Sequence, residues 1–89
     1  MATRTVTIAS SVGLHARPAA LFVQAATATG LPVTIAKTGG TPVDARSILG
    51  VMALGAKHGE QVVLTADGAD ADAKLDSLVA LLSRDLDAE

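Results

Sequence analysis

The segment Thr3-Arg4-Thr5-Val6-Thr7-Ile8 alternates polar and apolar residues, and the segment after it does not. Alternation at a period of two marks a strand with one buried face, so Val6 and Ile8 should point into a core. Ser10-Ser11-Val12-Gly13 reads as a turn, after which Pro18, Leu21, Phe22, Ala25 and Ala26 recur at helical spacing until Gly30. A glycine past the last periodic residue is a common helix stop, because it enters the left-handed region without a Cβ penalty. The spacing predicts a helix over about residues 16–28.

Working outward, Pro32-Val33-Thr34-Ile35-Ala36-Lys37 alternates again, Gly39-Gly40 turns the chain, and Thr41-Pro42-Val43-Asp44 is a short strand whose proline suits a sheet edge. The two strands should form a hairpin. Ser47 can cap a short helix that carries Ile48, Val51 and Met52, with Leu49 beside them, and ends near Gly55. Glu60 through Ala66 is rich in β-branched residues and reads as the last strand, ended by Asp67-Gly68. Asp70 can cap a final helix whose apolar stripe is Ala71, Leu75, Leu78, Val79, Leu82 and Leu86, opposite Asp72, Lys74, Asp76 and Arg84. The order is βαββαβα. One sheet covered by helices on one side and open to water on the other satisfies every stripe, which makes the fold class α+β.

At 89 residues, 1–89 is expected to form a single domain, and with 49% hydrophobic and 18% charged residues it is too apolar for a disordered chain. The absence of cysteine removes disulfides, thiolate metal sites and cysteine nucleophiles. No apolar run approaches a membrane span and Met1 to Thr5 has no signal-peptide character, so the expectation is a cytoplasmic protein without direct membrane insertion. A net charge of -2 and a single aromatic residue, Phe22, argue against a nucleic-acid partner. The charge is unevenly spread: residues 1–58 hold five of the seven basic residues and one acid, whereas residues 59–89 hold eight of the nine acids. The basic part is the one suited to anionic partners.

Gly13-Leu14-His15-Ala16-Arg17-Pro18-Ala19 carries the chemistry. A glycine turn delivers a histidine to the start of a helix, where unpartnered N–H groups and the helix dipole favour an anion. Pro18 fits this first turn because its missing N–H is not needed there. Arg17 adds a planar fork of donors that matches phosphate oxygens, and imidazole is a nucleophile that titrates near neutrality. Such a site can accept a phosphoryl group, hold it and pass it on; plain anion binding would use the same features. No Walker A sequence or glycine-rich nucleotide loop accompanies His15, so the phosphate would come from another protein.

This segment resembles the active-site signature of the HPr family, the histidine-containing phosphocarriers of the bacterial sugar phosphotransferase system. A second segment, Arg46-Ser47-Ile48-Leu49-Gly50-Val51-Met52-Ala53-Leu54-Gly55, is similar to the family's serine-centred segment, and the likeness extends over essentially the whole chain. The resemblance implies an open-faced β-sandwich, a four-stranded antiparallel sheet carrying three helices. It implies a carrier rather than an enzyme, with His15 taking a phosphoryl group on Nδ1 from phosphorylated enzyme I and passing it to enzyme IIA domains of sugar transporters. Arg17, with Ala16, would hold the phosphate, and Ile48, Leu49 and Met52 would belong to the partner-docking face. In some bacteria the serine matching Ser47 is phosphorylated by an HPr kinase/phosphorylase, which brings in a transcriptional regulator as a further partner. No cofactor or metal is implied, and a monomer is expected.

Three positions depart from the family pattern. Val12 stands where a small polar residue is usual, which puts one hydrogen bond to the histidine or its phosphate in doubt; Arg46 replaces a common lysine and Ala53 a common serine. His58, between Lys57 and Gly59, reads as a solvated loop residue rather than a metal ligand. The alternative is a regulatory binding module controlled by phosphorylation at Ser47, but such a module has no need for a nucleophile at a helix start.

Overall fold

The computed structural model describes residues 2–9 and 16–83, with the backbone alone for residues 16–18. Seven elements follow in the expected order: β1 (Ala2–Thr7), α1 (Ala16–Ala28), β2 (Val33–Lys37), β3 (Val43–Asp44), α2 (Ile48–Leu54), β4 (Gln61–Ala66) and α3 (Ala71–Leu82). The strands form one sheet in the order β1-β4-β2-β3, antiparallel throughout. The three helices cover one face, which makes an open-faced α+β sandwich.

Strand register explains which side chains reach the core. Ala2, Ala66 and Val33 line up across the sheet, as do Arg4, Leu64, Ile35 and Val43, and then Val6, Val62 and Lys37. These rows face the helices. The rows between them, Thr3 with Thr65, Thr34 and Asp44, and Thr5 with Val63 and Ala36, face the open side. Val6 and Ile8 are buried as their alternation requires, and Phe22 and Ala26 of α1 and Leu75, Leu78 and Leu82 of α3 close over the strands. Leu86 and Arg84 lie outside the described residues.

Arg4 has the parity of a core residue yet keeps its charge in water, because β1 is an edge strand beside α3. Its Nε donates to Asp76 Oδ1 at 2.9 Å and its Nη2 to Asp72 Oδ1 at 3.0 Å. Lys74 likewise leaves the polar stripe to donate from Nζ to the Thr29 carbonyl at 2.7 Å, tying α3 to the chain leaving α1. Gly30 ends α1 at φ +72, with its N–H donating to Thr27 O. Asp70 corrects the sequence reading: it adopts φ 60, ψ 23 and makes no side-chain cap hydrogen bond. A capping side chain folds back over the first turn from an extended backbone, and the left-handed conformation does not present it that way.

Candidate functional site

His15, the principal candidate, lies outside the described residues, as do Val12, Gly13 and Leu14. Ala16 and Arg17 are the first two residues of α1, a helix of 13 residues. Both ends of the segment that carries His15 are therefore defined. Upstream, the Ala9 N–H donates to Leu82 O at 3.2 Å; downstream, α1 begins at Ala16 and packs against α2 and α3.

The second segment is described in full. Ser47 precedes α2 in an extended conformation, φ -106 and ψ 115, and its Oγ accepts the Gly50 N–H at 3.2 Å. Gly55 closes the helix at φ 68, its N–H donating to Met52 O. Only Val51 of α2 is buried. The sequence reading put Ile48, Val51 and Met52 on one side, but Ile48 is 38% exposed, Met52 41% and Leu49 77%, and these three are the exposed large hydrophobic residues among those described. With α2 against α1, the apolar trio belongs to the helix that adjoins the helix bearing Ala16 and Arg17.

Two acidic residues that the sequence reading left unassigned organise the borders of this region. Asp44 Oδ1 accepts the Arg46 N–H at 2.9 Å and its Nε at 3.2 Å, so Arg46 is held beside Ser47 by its own turn. The Arg46 N–H, and after it the guanidinium, holds the Asp44 carboxyl below its ordinary value. Glu60 Oε1 accepts the Lys57 N–H at 2.8 Å, and its other oxygen lies 3.6 Å from Lys37 Nζ. That carboxyl too is held low, chiefly by the Lys57 N–H. The i, i+2 spacing of Asp44 and Arg46 was an available signal, since an aspartate bonds the main-chain donor two residues on in a turn, and so was the i, i+3 spacing of Lys57 and Glu60, since a glutamate can reach back to the main-chain N–H three residues before it.

His58 is exposed in the turn before β4. Among the described residues no group of three or more His, Cys, Asp or Glu could hold a metal ion, and no helix is long and apolar enough to cross a membrane.

The chain matches the family model described as PTS HPr component phosphorylation site over residues 2–84. It is similar to the phosphocarrier protein HPr of Streptomyces coelicolor, with 53% identity over 87 residues that cover 98% of this chain and 94% of that protein. Among solved structures, HPr-C-His from Thermoanaerobacter tengcongensis superposes with a TM-score of 0.90 at 39% identity, covering 100% of this chain and 99% of that one. The catabolite repression containing protein Crh of Bacillus subtilis, described as a swapped dimer, aligns with a TM-score of 0.73 at 38% identity, covering 97% and 98%.

Proposed function

The chain belongs to the HPr family of phosphocarriers, and from that premise we propose that His15 is loaded by phosphorylated enzyme I and unloaded to enzyme IIA domains of sugar transporters. In loading, the Nδ1 lone pair of neutral His15 attacks phosphorus while the bond from phosphorus to its donor atom on enzyme I breaks and that electron pair leaves with the donor. In unloading, a nucleophile on the enzyme IIA domain attacks phosphorus while the bond from Nδ1 to phosphorus breaks and its electrons return to the ring, a departure made easier by a proton on the other nitrogen. Arg17, with the main chain at Ala16, steadies the phosphate at the positive end of α1. The chain acts as the substrate of its partners rather than as an enzyme, as a single cytoplasmic domain and a monomer.

The observation that carries this reading is the match to the phosphorylation-site family model across residues 2–84, a span that contains His15 and Arg17. Ile48, Leu49 and Met52 supply an exposed apolar face on the adjoining helix, suited to docking a protein. Ser47 serves as a regulatory phosphorylation site where the host has the HPr kinase/phosphorylase, and a transcriptional regulator would then read the modified form. The likeness to Crh favours a second reading, a regulatory module that does not carry phosphate to sugar transporters.

Incubation with enzyme I, magnesium and phosphoenolpyruvate, followed by mass spectrometry, separates the two. The carrier gains one acid-labile, alkali-stable phosphate that His15→Ala abolishes. Phosphate retained by His15→Ala, or an acid-stable label, overturns the assignment.

A further inference from the structure

Residues 1–58 hold five basic residues and a single acid, Asp44, and the fold sets that acid at the border of the exposed apolar helix. Asp44 ends β3, and Ala45, Arg46 and Ser47 lead from it into α2. This short connection is pinned at every residue. The Ala45 N–H donates to Val33 O at 2.9 Å, with Ala45 fully buried, and the Ser47 N–H donates to Asp44 O at 3.1 Å. Between them the Arg46 N–H donates to Asp44 Oδ1 at 2.9 Å. The carboxylate is thus fixed by its own turn, independently of any side-chain partner. Arg46 Nε then donates to the same oxygen at 3.2 Å, and both side chains stay open to solvent.

We infer that Asp44 is a specificity-determining residue of the α2 face: its carboxylate offsets the Arg46 charge beside Ile48, Leu49 and Met52, and so limits the attraction of an acidic protein surface. The inference rests on the proposed docking of enzyme I on that face. The Arg46 N–H, and after it the guanidinium, keeps the Asp44 carboxyl below its ordinary value, so its charge is present at neutral pH. An exposed pair of this kind contributes little to stability. Its consequence lies in the field that a partner meets, because charges at the rim of an interface act mainly on the rate of encounter and its salt dependence. No other acid of residues 1–58 can take this part, since there is none.

The opposite edge of the sheet supplies an internal control. β3 lies at one edge and β1 at the other, where Arg4 Nη2 donates to Asp72 Oδ1 at 3.0 Å. Asp72→Asn therefore removes the same charge as Asp44→Asn from another arginine–aspartate pair, but away from the border of α2.

Asparagine keeps an oxygen able to accept the Arg46 N–H, so Asp44→Asn removes the charge and leaves the turn. The measurement is binding to unphosphorylated enzyme I, by calorimetry for the affinity and stopped flow for the association rate. At about 0.1 M ionic strength Asp44→Asn should bind about threefold more tightly, the effect of one charge at about 6 Å in a water-like dielectric. The gain should lie in the association rate and vanish at about 1 M, where the screening length falls from about 10 to 3 Å. Asp72→Asn should stay within about 1.5-fold of the parent, being screened by distance. Asp44→Asn combined with Arg46→Gln should also return to within about 1.5-fold, because the two charges leave together. If Asp44→Asn does not fold, Asp44→Ser, whose hydroxyl can accept the same N–H, takes its place with the same expectation. Unchanged or weaker binding by the folded Asp44 variant, an equal gain from Asp72→Asn, or a gain that persists in full with Arg46→Gln overturns the inference. A parent that does not bind enzyme I would instead overturn the proposed docking.

Discussion

Substituting Ser47 in two ways should separate folding from docking. Alanine removes the oxygen that accepts the Gly50 N–H at 3.2 Å, and nothing else in the side chain replaces it. Loss of an N-cap acceptor costs about 1 kcal/mol, which lowers the melting temperature of a domain of this size by roughly 4–8 °C. Aspartate caps as well as serine does and its charge suits a helix start, so Ser47→Asp should stay within about 0.5 kcal/mol of the parent. The kinetic effects should run the other way. Aspartate adds a negative charge beside Arg46, whose guanidinium is already partly neutralised by Asp44 at 3.2 Å, and next to the exposed Ile48 and Leu49. If enzyme I approaches this surface with acidic groups, one added like-charge pair at about 6 Å in a water-like dielectric costs roughly 0.7 kcal/mol, about threefold in half-saturating concentration. Raising ionic strength from about 0.1 M to 1 M shortens the screening length from about 10 to 3 Å and should erase most of that difference. Thermal melts by circular dichroism and loading rates over a range of enzyme I concentrations decide it. Equal rates for the two variants would put Ser47 outside the docking surface, and equal melting temperatures would refute its role as a cap.

Leu49→Ala and Leu64→Ala should give opposite patterns: the first, at 77% exposure, changes stability by less than about 0.5 kcal/mol but raises the half-saturating concentration of enzyme I, while the second, fully buried on β4, costs about 2–5 kcal/mol in urea unfolding and leaves docking unchanged. Arg17→Ala should slow transfer while changing folding by less than about 1 kcal/mol; a large drop in melting temperature with normal transfer kinetics would make Arg17 structural. Acid titration should show a stability loss tied to Asp44 and Glu60, whose folded carboxyls are held low by Arg46 and by the Lys57 N–H with Lys37. Their contribution is present above the unfolded range, about pH 4, and fades as pH falls through the lower folded values. Glu60→Gln should flatten that acid limb in denaturant melts, and an unchanged slope would refute the attribution.

Most of the element order was legible because it rests on local patterns. Alternation through Val6 and Ile8, the helical spacing that ends at Gly30, and the β-branched run before Ala66 each stand without knowing their neighbours. Boundaries differ by a residue or two: β2 begins at Val33 rather than Pro32, and β4 at Gln61 rather than Glu60. What could not be read depends on contacts between elements. Arg4 shares parity with Val6, and only the edge position of β1 beside α3 explains how it meets Asp72 and Asp76 instead of being buried. Lys74 looked solvated because its partner, the Thr29 carbonyl, is distant in sequence. Asp70 carried a capping residue type, but the turn after Gly68 sets its backbone. At the candidate site, the Ser47 cap was legible from a serine followed by a short apolar helix. That Ile48, Leu49 and Met52 are surface residues was legible only as a surplus of apolar side chains, since their exposure depends on how little of α2 the core can cover.

That small coverage links the fold to regulation. A seven-residue helix is too short to persist through intrinsic propensity, and of α2 only Val51 is fully buried, with Leu54 packed partly against the core. The helix is held instead at its two ends, by Ser47 Oγ on the Gly50 N–H and by the Gly55 N–H on Met52 O. The exposed apolar face therefore owes its shape to hydrogen bonds at its borders as much as to packing beneath it. On the proposed reading, phosphorylation of Ser47 modifies the oxygen at one of those borders. The phosphate brings its own acceptors within reach of the helix start, so α2 retains its conformation, and the added charge of about -1.5 to -2 is felt by whatever docks on Ile48, Leu49 and Met52. A regulator that had to unfold α2 would lose the docking face altogether. One that only recharges its border can weaken one partner and attract another while His15 remains able to carry phosphate.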